Sequence, residues 1–214
     1  LLIDATANSK LSHHSMQFVP ASKVFGVEND TILLPPELIK QHKLKPEVTN
    51  KLNFLGKNSA LPDTYEDFIA PMEGLVSASS QLGIVNARAD NDGIYRNTQL
   101  FFNYRDSIFP SLSIAALISD QKHLETIIDY QNSHTTTASE LPAPVNFYTD
   151  YRPLSMGSIL SSISNLYTGD IEKVAVLPDI FTNKYIFIGA SAIGLHDLKP
   201  TAISELAPGV FVHA

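Results

Sequence analysis

The stretch "KYIFIGASAIGLHDLKP" (184–200) sets four consecutive large apolar side chains, Tyr185 to Ile188, directly before a glycine. An apolar run of that kind, without alternation, is the pattern of a strand covered on both faces. It predicts a central strand ending in a Gly/Ser loop that carries Ser191, His196 and Asp197. Strands and helices alternate through the second half of the chain, so the class is α/β. The expected architecture is one mixed, largely parallel central sheet flanked by helices, within a single domain spanning 1–214.

The loop fits no standard catalytic motif. Gly189 and Gly194 have the spacing of a phosphate-binding P-loop, but Leu195 stands where lysine must reach the phosphates. Ser191 replaces the middle glycine of the dinucleotide pattern, and Ile193 replaces the last glycine of a nucleophile elbow. The seven histidines are scattered, and the adjacent His13 and His14 would face opposite ways in an extended chain. "DNDG" (90–93) opens like a calcium loop but lacks the closing glutamate. The chain has no cysteine, which removes disulfides, thiolate metal sites and cysteine nucleophiles. No metal and no cofactor is expected. The loop reads as a turn between strand and helix, with His196 and Asp197 solvated.

Elsewhere, "LLID" (1–4) and "KVFGV" (23–27) read as short buried strands. Residues 29–76 read as an irregular, proline-punctuated excursion whose best helix is "PPELIKQHKL". "QLGIVN" (81–86) and "NTQLFFNY" (97–104) read as strands joined by a tight hairpin, with Asp92-Gly93 supplying the positive φ. "DSIFPSLSIAALISD" (106–120) predicts a helix with Ser107 as its cap, Pro110 near its first turn and Leu112, Ala115, Ala116 and Ser119 on one face. Residues 123–149 predict two strands around a Ser/Thr-rich turn. "LSMGSILSSI" (154–163) predicts a helix starting near Ser155, and "GVFVHA" (209–214) a strand or the start of a helix.

The chain has 214 residues, 44% of them apolar and 17% charged, a composition able to fill a core. Its net charge of −7 argues against nucleic acid, and no basic run exists to hold anionic lipid. No apolar run reaches the roughly 18 residues of a membrane span. Absence of cysteine fits both the cytosol and a bacterial periplasm. Both ends, "LLIDAT" and "PGVFVHA", read as cut from a longer protein.

Two stretches, "DNDGIYRNTQLFFNYRDSIFPSLSIAAL" (90–117) and "YIFIGASAIGLHDLKPTAISELAPGVFVHA" (185–214), together resemble the type-two CHASE domain, a sensory extracellular domain associated with cyclases and histidine kinases. Asp90, Asp92, Gly93 and Arg96 match its Asp-x-Asp-Gly-x-x-Arg turn, and Pro110, Ser111 and Leu112 its Pro-Ser-Leu element. Lys184, Gly189, Ser191, Asp197, Thr201, Pro208, Gly209, Val210, His213 and Ala214 match its closing strand, loop and Pro-Gly-Val-x-x-His-Ala segment. The resemblance covers 81–214, and "SKVFGV" (22–27) resembles a further family strand. Residues 1–21 match it poorly, and "KPTAI" departs from the family's Thr-Pro order.

The resemblance implies a periplasmic or extracellular sensor domain of a bacterial inner-membrane receptor. Transmembrane helices would flank it, and the cytoplasmic output would be an adenylate or diguanylate cyclase or a kinase. It implies a ligand-binding module that is not itself an enzyme, probed by a small molecule or a periplasmic partner, and acting as a homodimer. On this view Ser191, His196 and Asp197 line a pocket beyond the strand end. Arg96 either clamps an anion or locks its own turn through Asp90 and Asp92. Asp197 and Thr201 order the loop after the strand, Pro208-Gly209 make a turn, and His213 is a core histidine. Two readings compete: a hydrolase using Ser191, and a structural spacer that binds nothing.

Overall fold

The computed structural model describes residues 2–9, 11–20, 36–52, 65–104, 107–118, 121–134, 142–147, 153–191 and 197–214. Its organising strand is β1 (His13–Pro20). Met16 and Phe18 are buried while Ser15 and Gln17 are exposed, so the strand alternates as a one-sided strand must. β1 lies between β2 (Tyr65–Ile69), paired antiparallel, and β3 (Gln81–Ile84), paired parallel with His14 opposite Leu82 and Met16 opposite Ile84. Beyond β3 the Asn86 side chain continues the pairing: its Oδ1 accepts from the Phe18 N–H and its Nδ2 donates to the Phe18 carbonyl, both at 2.7 Å.

A first core gathers on β1. Phe18 stacks on Tyr104 at 4.9 Å between ring centroids and meets Phe109 edge-on at 5.5 Å, with Phe102, Tyr65, Ile84 and Val76 packed around it. A second core holds Leu44, Leu52, Leu100, Phe101, Ile114, Leu124 and Ile128.

The remaining sheets are two-stranded. β4 (Asn97–Gln99) pairs with β7 (Pro142–Pro144), β5 (Phe101–Tyr104) with β6 (Ser107–Pro110), and β8 (Leu198–Thr201) with β9 (Ser204–Pro208). The protein is therefore mixed α/β, but the described strands form several small sheets rather than one largely parallel sheet.

Several local expectations are corrected. "LLID" belongs to helix α1 (Leu2–Ser9), not a strand, and α1 packs on α4 (Glu73–Ala78). The 29–76 excursion does contain helices α2 (Pro36–Lys40) and α3 (Pro46–Thr49), but β2 and α4 also lie in it. His42 fastens it down, its Nε2 bonding the Val76 carbonyl at 2.9 Å, while the Gln81 side chain donates to the His42 carbonyl. β3 and β4 are not paired, so the Asp92-Gly93 turn does not close a hairpin.

Residues 107–110 are strand, and the helix is α5 (Leu112–Leu117), capped by Ser111, whose Oγ accepts from the Ile114 N–H at 3.2 Å. The cause is Pro110: a residue before proline avoids helical angles, so Phe109 stays extended. Residues 121–134 are helix α6 (Gln121–His134), not strand. Its buried Leu124, Ile128 and Gln131 recur at helical spacing. Helix α7 (Met156–Thr168) follows Ser155 as expected and ends at Gly169, with φ of 82°. Buried Ser162 of α7 accepts from the Ala175 and Val176 amides and so ties the following segment to the helix.

Residues 184–190 are not a strand. They carry no regular secondary structure and pair with no described strand, and Ile188 is 75% exposed. "GVFVHA" forms a 3₁₀ turn over Gly209–Val212. "KVFGV", Ser119 and the Ser/Thr-rich turn at 135–141 lie outside the described residues.

Two expectations follow. Phe18→Ala removes the ring at the centre of the first core and costs about 3–5 kcal/mol, read from chemical denaturation. Burial holds His13, His14, His42 and His213 below the ordinary imidazole value of 6.5. The unfolded chain therefore binds protons more readily than the folded one. Stability is complete above that value and is lost as pH falls through and below it. The urea midpoint should drop between about pH 7.5 and about pH 5.5, and would stay level if these rings were freely solvated.

Candidate functional site

The Asp-x-Asp-Gly turn is built to hold Arg96. The Gly93 amide donates to the Asp90 carbonyl at 2.9 Å, and the Asp90 amide to the Ile94 carbonyl at 2.9 Å. Gly93 takes φ of 84°, which glycine adopts without strain. Asp92 Oδ1 accepts from the Ile94 amide at 3.1 Å. Across this turn Arg96 forks onto both oxygens of Asp92 at 3.0 and 2.9 Å and reaches Asp90 Oδ2 at 2.9 Å. Asn97 adds a bond to Asp90 Oδ1 at 3.2 Å. The fork lowers the Asp92 carboxyl, through its hydrogen bond to Arg96 first, and raises the guanidinium, through Asp92 and then Asp90. This is the turn-locking arrangement of the two weighed for Arg96.

The turn leads into the C-terminal hairpin. The Tyr95 amide donates to the Pro200 carbonyl at 2.8 Å, and Tyr95 bridges Thr201. Thr201 orders the hairpin as expected, its Oγ1 donating to the Ser204 carbonyl at 3.2 Å. Asp197 works partly through its backbone: its carbonyl accepts from the Gly209 amide at 2.7 Å. Its carboxylate rests directly on Gly209, where a Cβ would lie 2.3 Å from Oδ1. Lys199 Nζ stands 3.6 Å from the same carboxylate and 5.8 Å from the centroid of the Tyr95 ring. Pro208 closes β9 and Gly209 opens the 3₁₀ turn, so this pair is the expected turn.

His213 is buried, as expected of a core histidine. The Val85 carbonyl acts on its ring, and its Nδ1 has no hydrogen-bond partner among the described residues. Gly189 has a packing role, since a Cβ there would sit 2.5 Å from Val210 Cβ. Ser191 is exposed, and no hydrogen bond joins it to a described histidine. His196 lies outside the described residues. The structure thus brings together Asp197, Gly209 and His213, with Arg96, Asp90 and Asp92 on the turn that feeds their hairpin.

Sequence reasoning missed Lys199, Tyr95, Val85 and Ser113. Lys199 lies on β8, two residues after Asp197, a proximity visible in "HDLKP". Val85 and Ser113 enter only through the tertiary fold. A shallow groove of about 330 Å³ lies elsewhere, on α7, lined by Ile163, Leu166 and Tyr167. It lacks the convergent polar groups that orient a ligand. Among the described residues no cluster of side chains suits a metal ion, and no helix is long and apolar enough to cross a membrane.

Gly209→Ala drives a methyl into the Asp197 carboxylate and should cost about 1–3 kcal/mol. In an Asp197→Ala background most of that cost should vanish, a coupling readable by a double-mutant denaturation cycle. Additive losses would show that the two residues do not press on each other.

A family model for the CHASE2 domain matches residues 9–214. The match reaches well into the N-terminal stretch that the motif resemblance left out. No curated protein and no solved structure matches significantly. With a match over nearly its whole length, the chain belongs to the CHASE2 family, a family of sensory extracellular domains found in cyclase and kinase receptors.

Proposed function

We propose that this chain is the ligand-binding sensor domain of a bacterial transmembrane receptor, facing the periplasm from the inner membrane and working as a homodimer. Its output would be an adenylate or diguanylate cyclase or a kinase on the cytoplasmic side. The observation that carries this reading is the family match over 9–214. The net charge of −7 agrees with it by disfavouring nucleic acid as a partner. In this reading Ser191, His196 and Asp197 line the ligand site, together with residues of the proline-punctuated excursion. Arg96 serves the site indirectly, by fixing the turn on which the C-terminal hairpin rests. Signalling is a population shift whose size is set by the ligand's differential affinity for two states.

Thermal-shift screening of the domain against small metabolites tests the proposal. A true ligand at about a hundred times its Kd stabilises the folded state by roughly 2.7 kcal/mol. Ser191→Ala and Asp197→Ala should each weaken that ligand at least several-fold. A ligand whose affinity ignores both substitutions would overturn the placement of the site. Ester hydrolysis lost on Ser191→Ala would overturn the sensor reading in favour of an enzyme.

A further inference from the structure

His213 joins three parts of the protein. Its amide donates to the Val210 carbonyl at 3.0 Å, closing the 3₁₀ turn. Its carbonyl accepts from Ser113 Oγ of α5 at 2.7 Å. The residue is only 7% exposed, and the Val85 carbonyl just beyond β3 acts on its ring. The turn 209–213 is thereby pinned to both α5 and the end of β3. On the turn's other side stand Asp197 and Lys199, tied to it through the Gly209 amide and the carboxylate seated on Gly209. The charged groups acting on the ring are Asp197 and Lys199, both at β8. Residues 112–117 of α5 and 81–84 of β3 contain none.

We propose that His213 is a proton-operated latch: neutral, it holds the turn 209–213 on the core, and protonated, it releases the turn. The chemistry follows from the bare Nδ1. In neutral imidazole one nitrogen carries the proton and Nδ1 can remain an unused lone pair. Protonation makes Nδ1–H a donor, and among the described residues no acceptor is in place for it. A buried donor without an acceptor is costly, and a buried cation more so. Asp197 is already engaged with Gly209 and Lys199, and a swing of its carboxylate toward the ring would dismantle the seat of the turn. Burial lowers the ring's proton affinity first, Lys199 also lowers it, and Asp197 and the Val85 carbonyl raise it. The latch is closed above the ordinary imidazole value and opens as pH falls through a midpoint below it. His13, His14 and His42 belong to other parts of the chain, on β1 and after α2. A local readout separates them. The latch does not depend on the identity of any ligand.

NMR of the 214-residue chain tests this, following the His213 ring and the Gly209, His213 and Ser113 amides from about pH 7.5 to about pH 5. Ring and amides should titrate with one shared midpoint below 6.5, and solvent exchange of the Gly209 and His213 amides should rise at least tenfold across it. In His213→Gln the three amides should be flat over this range. Asp197→Asn should move the midpoint down and Lys199→Met should move it up, two variants that leave the ring itself in place. Amides that stay flat while the ring titrates would overturn the latch. So would amides that titrate unchanged in His213→Gln, or a midpoint indifferent to both Asp197→Asn and Lys199→Met.

Discussion

Placement of Phe18 on β1 is the constraint from which the rest of the architecture follows. Its ring is fully buried against Tyr104, Phe109, Phe102 and Tyr65, which come from β5, β6 and β2. Its backbone is held on both sides, by β2 and by the Asn86 amide. Those bonds fix where the chain leaves β3, because the Val85 amide also donates to the Met16 carbonyl at 2.9 Å. The Val85 carbonyl in turn acts on the His213 ring. One continuous set of contacts therefore runs from the aromatic core to the C-terminal turn. No charged group takes part until Asp197 and Lys199.

That arrangement gives the family's motif residues distinct physical jobs. Asp90, Asp92, Gly93 and Arg96 make a self-contained turn whose charges cancel locally, which suits a rigid support. Asp197, Gly209 and His213 make a joint whose parts fit only in one protonation state. A scaffold needs the first, and a domain that changes state needs the second. In the proposed receptor, a ligand or a change in acidity biases the same small turn.

Legibility in the sequence followed the range of the forces involved. Features set by neighbours in the chain were readable: the Gly93 turn, the start of α7 after Ser155, the Arg96 lock and the Pro208-Gly209 turn. Errors arose where one local pattern competed with another. The stretch 123–149 reads as two strands around a polar turn, although Leu124, Ile127 and Ile128 within it sit at helical spacing. Pro110 was read as part of a helix although it keeps Phe109 extended. Features set by distant partners were not readable at all, such as Asn86 acting as a strand edge or Ser113 meeting His213, which is 100 residues away. The Tyr185–Ile188 run reads as a buried central strand, but no described strand supplies its ladder, and Tyr185, Ile186 and Ile188 stay exposed. Composition reports a tendency toward burial, while pairing depends on which edges the fold makes available.

Native-state hydrogen exchange at neutral pH addresses the central claim most directly, that β1 and its aromatic cluster organise the protein and the apolar run at 184–190 does not. Amides of β1 and β3 should exchange slowest, near the rate set by global unfolding, and those of 184–190 among the fastest. Protection of 184–190 equal to that of β1 would contradict the account, since it would place a paired, buried strand where the structure has an exposed segment outside the described sheets.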